Sequence, residues 1–156
     1  MNKHGQVLSA CVLVLLIAIP AAADCKPVVG HFEANLVLPG QGHCPNVPDA
    51  FCTAGRVWGG IQGTYRFVMT GAFPAGAIAG TPSVLFFTGQ STVSLKSGSD
   101  VVGTDTGSID LPQLGGQGGF ASLITFGPGS QIRLRGEFSP ASATTSGDYI
   151  GTYCTP

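Results

Sequence analysis

Cys154 stands two residues from the C-terminus, at the end of SGDYIGTYC, and Cys25 stands just ahead of HFEANLVL, the first alternating run of the chain. Nearly everything with strand character lies between these two cysteines. HFEANLVL places Phe32, Ala34, Leu36 and Leu38 on one face and His31, Glu33 and Asn35 on the other. Further short β-branched and aromatic runs follow, separated by turn residues, and this is the pattern of an antiparallel sandwich or barrel. Twenty-four glycines and eleven prolines leave no stretch with sustained helical periodicity.

GRVWGGIQGTYRFVMT reads as one bent strand or two, with bends or bulges at Gly59-Gly60 and Gly63. SVLFFTGQSTVSLK and DVVGTDTGSIDL flank the turn SGS, and FASLITF and QIRLRGEF flank GPGS, giving two hairpins. PGQGHCPNVPDAFC and LPQLGGQGG are loops, and GDYIGTYC is the last strand. About eight strands result. An open sheet of that size exposes two edges that invite pairing with other chains. Closing the sheet into a barrel removes both edges and sets the first strand beside the last, so the expected fold is an all-β antiparallel barrel of about eight strands.

The leader-like start fits an exported protein. Lys3, the apolar run Val12–Pro20 and the small residues Ala21-Ala22-Ala23 read as a signal peptide over 1–23, leaving 24–156 as a single barrel domain. The apolar run is short for a transmembrane helix, and no second one follows. Leu8-Ser9-Ala10-Cys11 resembles a lipobox but precedes the apolar run it ought to close, so Cys11 reads as filler. Four cysteines remain: Cys25, Cys44, Cys52 and Cys154. In an exported chain they read as two disulfides with three connectivities. Barrel closure favours Cys25–Cys154 with Cys44–Cys52. The first bridge would close nearly the whole mature chain, worth roughly 4–5 kcal/mol by loop entropy, and the second would staple a Pro-rich loop.

After removal of 1–23, eight acidic residues face six basic ones, a net charge of −2 with no basic cluster. Sequence-independent nucleic-acid binding draws on such a cluster, so no nucleic-acid partner is expected, and no attraction to a membrane surface. Nor is an oligomeric state read from the sequence.

Asp105-Thr106-Gly107-Ser108 carries the D-T-G-S of aspartic proteases, in which two carboxylates share a proton. One copy would demand a homodimer, and Gly103-Thr104 stands where such enzymes have a buried apolar strand. Counting by twos, Asp105 shares a face with Val101, Gly103, Gly107, Ile109 and Leu111, which points its carboxyl into the barrel unless a bulge shifts the phase. An inward carboxyl needs partners, and the Tyr65 or Tyr149 hydroxyls are candidates. It is then either a structural hydrogen-bonding group or one that orients a ligand. Trp58, the lone tryptophan, is flanked by glycines that allow close approach by a ligand or another backbone; it serves as core filler or as part of a site. Phe67, Met69, Val93, Leu95, Ile132 and Leu134 read inward, as do Gly103, Gly107 and Gly136, whose missing side chains would leave volume.

His43 with Cys44 and Cys52 hints at zinc, but a Cys-x7-Cys spacing in an exported chain favours oxidation, so no metal is expected. His31 and Glu33, and Arg133, Arg135 and Glu137, read as solvated strand faces. GGQGGF lacks the lysine and the helix of a phosphate loop, there is no G-x-S-x-G elbow, and no cofactor is called for.

The run GTYRFVMT…VLFFTGQSTVSL…GTDTGSIDL…GGFASLITF…IRLRGEF…TTSGDYIGTYC resembles small secreted proteins of the allene-oxide-cyclase-barrel and dirigent-like type, over nearly all of the mature chain. The resemblance implies a barrel. The glycine-rich turn ahead of the RLRG-like strand is contracted here to Gly127-Pro128-Gly129-Ser130, and no catalytic residue of the plant cyclases matches a position of this chain. The expectation is therefore a non-catalytic binding module for a small apolar ligand or partner, with Asp105, Tyr65, Tyr149 and Trp58 lining the site. A cofactor-free cyclase or isomerase, or more remotely a homodimeric DTG protease, is the alternative.

Overall fold

The computed structural model describes residues 24–75, 83–111, 118–127 and 129–155. The leader proposed over 1–23, with Cys11, lies outside them, as do parts of the loops around 76–82 and 112–117. Eight strands follow in order: β1 (Asp24–Val37), β2 (Cys52–Gly59), β3 (Gly63–Pro74), β4 (Val84–Leu95), β5 (Asp100–Asp110), β6 (Gly118–Phe126), β7 (Ser130–Ser139) and β8 (Thr144–Thr155). Each pairs antiparallel with the next, and β8 pairs with β1, so the sheet closes into a barrel without a free edge.

Alternation sets the two faces of the wall. On β1, Phe32 and Ala34 are buried while His31, Glu33 and Asn35 are exposed. The pattern fades where the strand ends: Leu36 is half-buried, and Leu38, read as inward, is 54 % exposed in the loop beyond Val37. GRVWGGIQGTYRFVMT resolves into two strands, β2 and β3, that reverse across Gly60–Gln62. The bulge falls instead at Thr70, where the β3–β4 register steps between Met69 and Gly71.

The barrel has two unlike ends. At the lower end lie the short turns 60–62, 96–99 and 127–129 and the start of β1 and end of β8. Cys25 and Cys154 are direct cross-strand partners there and are disulfide-bonded. Gly129 serves this corner twice: its φ is +89°, and a Cβ on it would stand 3.1 Å from Cys154 Sγ. The Ser130 hydroxyl accepts the Cys154 N–H at 2.8 Å. At the upper end lie the loop 38–51, the turn 140–143 and the strand ends at Pro74, Val84, Asp110 and Gly118. The Cys44–Cys52 bridge ties the first of them to the start of β2, and His43 Nε2 is 3.1 Å from the Phe67 carbonyl. Bridges of this kind persist in oxidising compartments.

The interior is packed with aromatic and aliphatic side chains, among them Phe32, Tyr65, Phe67, Phe126, Ile132 and Leu134. The inward glycines do not leave empty space, contrary to the expectation from sequence. A Cβ on Gly103 would stand 2.6 Å from the Phe126 ring and 2.8 Å from Ile124 Cγ2, and one on Gly107 would stand 2.8 Å from the Phe87 ring. The Phe120 ring covers Gly136 in the same way. Each glycine is a seat for a neighbouring side chain, and density comes from large groups laid over bare backbone.

The outer wall carries Glu33, Arg56, Arg133, Arg135, Glu137 and Asp148 at exposed positions. An Arg on a lipid-facing wall costs about 2–4 kcal/mol at the bilayer midplane, and this wall exposes Arg56, Arg133 and Arg135 beside the apolar Val29, Val102 and Ile150. Among the described residues no helix is long and apolar enough to cross a membrane.

Candidate functional site

Asp105 sits midway along β5, whose register with β4 runs unbroken from Asp100 to Asp110. With no bulge to shift the phase, Gly103, Asp105 and Ile109 point inward while Thr104 and Thr106 are exposed. Asp105 is only 2 % exposed. The strand that flanks it supplies its partner. Ser91, also inward on β4, donates from Oγ to Asp105 Oδ2 at 2.9 Å. Tyr65 Oη on β3 lies 3.1 Å from Ser91 Oγ. With Ser91 donating to the carboxyl, Tyr65 is the donor in that pair; a proton on Oδ2 would reverse both bonds. A relay of two hydroxyls thus ends on Oδ2.

The second carboxyl oxygen, Oδ1, is buried and has no hydrogen-bond partner. Burial pushes the Asp105 carboxyl above the usual aspartate range, opposed by the hydrogen bond from Ser91 and by the Ser122 hydroxyl, which approaches the carboxyl without reaching hydrogen-bonding geometry to Oδ1. Burial likewise pushes the Tyr65 phenol up, and a charge on Asp105 would push it further.

Asp105 borders a cavity of about 50 Å³ in the upper half of the barrel, walled by Phe32, Phe51, Met69, Phe87, Ile109 and Phe120, with Thr53, Ser122 and Thr145 as its small polar members. One water needs roughly 10–15 Å³, and a cavity of about 150 Å³ holds benzene. The upper cavity therefore has room for a few heavy atoms, the tip of a molecule rather than a whole ring. A second void, of about 20 Å³, lies in the lower half among Val57, Ile61, Val93, Ile132 and Tyr149. Phe32 and Tyr65 border both and form the partition.

Of the four residues expected to line a site, the structure brings two together, Asp105 and Tyr65, and joins them through Ser91. Tyr149 is buried but belongs to the lower half. Its hydroxyl accepts the Ile61 N–H at 2.7 Å and donates to the Ile61 carbonyl at 3.1 Å, which uses it fully as a clamp on the β2–β3 turn. Trp58 lies on the outer wall, 44 % exposed, with its ring 6.0 Å from that of His31, which pairs with Asp148. Val57 takes the inward position next to it, so the strand phase and not the flanking glycines decides where Trp58 points. Ser91 and Ser122 were missed. Counting by twos from Val93 and from Ile124 would have found both, but a serine in a strand carries no signal of its own until a partner is known.

No protein-family model, curated protein or solved structure matches this chain.

Proposed function

We propose that the protein is an exported binding module whose barrel takes the end of a small apolar ligand in the upper cavity, against Asp105. One observation carries this reading: Asp105, a buried carboxyl with one oxygen unpartnered, lines a cavity otherwise walled mainly by aromatic and aliphatic groups, with Thr53, Ser122 and Thr145 as its small polar members. A mostly apolar pocket with one placed polar group is the usual form of a small-molecule site, and small barrels either fill their interior or hold one such ligand. The two disulfides and the leader-like residues 1–23 support export. The resemblance to allene-oxide-cyclase-barrel and dirigent-like proteins supports the barrel itself.

A cofactor-free isomerase is the second reading, favoured by the raised carboxyl in an apolar site. A paired-aspartate protease is disfavoured by geometry, since a carboxyl 2 % exposed inside the wall does not meet its copy across a dimer interface.

The test is ligand-detected and methyl NMR with small apolar compounds. Binding should shift the Ile109 and Met69 methyl signals and leave the Trp58 indole unmoved. Shifts confined to the outer wall, or none at any concentration up to solubility, would remove the upper cavity as a site. Exchange of α-hydrogens of a bound ketone into D₂O, abolished by Asp105→Asn, would favour the isomerase.

A further inference from the structure

Resting on the binding reading above, we propose that Asp105 is a hydrogen-bond donor, offering its proton from Oδ1 to a single acceptor oxygen, a carbonyl, on an otherwise apolar ligand. One direction of the relay points to it: with Tyr65 donating to Ser91 and Ser91 to Oδ2, Oδ2 is the accepting oxygen of the carboxyl, whereas a proton on Oδ2 would run both bonds the other way. In that direction the proton of the neutral acid belongs on Oδ1, the oxygen without a partner, on a residue that lines the cavity.

The surroundings favour the neutral acid. From β4, Ser91 and Phe87 face it; from β6, Ser122 and Ile124; from β1, Phe32; from β3, Tyr65. Tyr65 is the one titratable group among these described neighbours, and none is a cation. An ionised carboxylate buried without a cation is far costlier than the neutral acid. Burial and the upward shift of the carboxyl act in the same sense. A buried O–H left without an acceptor carries a penalty of its own, which a ligand oxygen removes and a hydrocarbon does not. The walls then select for shape and for an apolar remainder. The ligand class is a small ketone, aldehyde or similar carbonyl compound with an apolar remainder.

Three probes of one shape separate the outcomes: 2-hexanone, 2-methyl-1-hexene and 2-hexanol, each titrated into the full protein and followed by the Ile109 and Met69 methyl signals. The ketone should bind roughly tenfold tighter than the alkene, the effect of one hydrogen bond to a group otherwise unsatisfied. That preference should fade as pH rises through the raised Asp105 value. Asp105→Asn, which keeps a donor in place, should retain the preference and lose its pH dependence, whereas Asp105→Leu should abolish the preference. An alkene that binds as well as the ketone overturns the donor assignment while leaving the apolar site, and means that a buried water alone occupies Oδ1. An alcohol that binds best, and more tightly at higher pH, overturns it by making Asp105 an acceptor. If none of the three moves either methyl, the binding reading itself falls and the donor assignment with it.

Discussion

The two halves of the barrel interior are built from the same kinds of residue and treat their polar groups in opposite ways. In the lower half, Tyr149 places its hydroxyl between the N–H and the carbonyl of Ile61, so one buried group both gives and takes a hydrogen bond. The void beside it is about 20 Å³ and wholly apolar among the described residues. In the upper half, Tyr65 starts a relay that ends on a carboxyl with one oxygen left over, beside a void of about 50 Å³. Native interiors seldom leave a buried polar atom unpaired. The lower half follows that rule and holds the barrel shut. The upper half breaks it at one atom, the one that the proposed ligand would complete. The ends match this division: short turns and a cross-strand disulfide below, the long loop 38–51 above, a kind of segment where binding residues usually gather.

Breaking each end's disulfide tests whether the lower end is the structural one. By loop entropy, Cys25–Cys154, with a sequence separation of 129, is worth about 5 kcal/mol, and Cys44–Cys52, with a separation of 8, about 2.5. Urea unfolding of the paired Cys→Ser variants should show the larger loss below. Equal losses, or the reverse order, would mean that the upper loop and not strand closure limits stability.

The two tyrosines give the next contrast. Tyr149→Phe strands both backbone groups of Ile61 and should cost about 1–3 kcal/mol. Tyr65→Phe leaves Ser91 still bonded to Asp105 and should cost under about 1 kcal/mol. Equal costs from denaturant titration would erase the distinction between a completed and an incomplete network.

The smallest effect is graded by pH. Burial raises the folded-state value of Asp105, so as pH rises the unfolded chain releases this proton first. Over that window the folded state binds more protons, and stability falls with rising pH. The contribution is complete below the ordinary aspartate value and is lost once pH passes the raised folded one. The slope is at most about 1.4 kcal/mol per pH unit. Measured as the difference between wild type and Asp105→Asn, it should be negative from about pH 4 upward. A flat or positive difference would mean that the carboxyl is charged in the folded protein, and the upper half would lose its distinctive group.

Much of this architecture is legible along the chain because a strand's period of two is a local property. Phe32 and Ala34 announce the inner face of β1, SGS and GPGS mark two reversals, and Asp105 falls inward by counting from Ile109. The position of Cys154 follows from closure, since a sheet without edges sets its last strand against its first. Period two also carried the information for Trp58, which points out because Val57 points in, and there the flanking glycines misled. Inward glycines misled in the same way: whether a missing side chain leaves a hole depends on whether a neighbouring ring lies over it, and the rings of Phe126, Phe87 and Phe120 do.

The amino-acid sequence by itself determined the strand pattern, the cysteine pairing that closure favours and the inward direction of Asp105. Only the tertiary structure decided that Tyr65, Ser91 and Asp105 form one relay, that Tyr149 belongs to a different half, and that a single oxygen is left without a partner. The reason is physical. Facing is fixed by neighbouring residues along one strand, whereas a hydrogen bond between side chains 14 or 26 residues apart exists only once register and barrel closure have set three strands side by side.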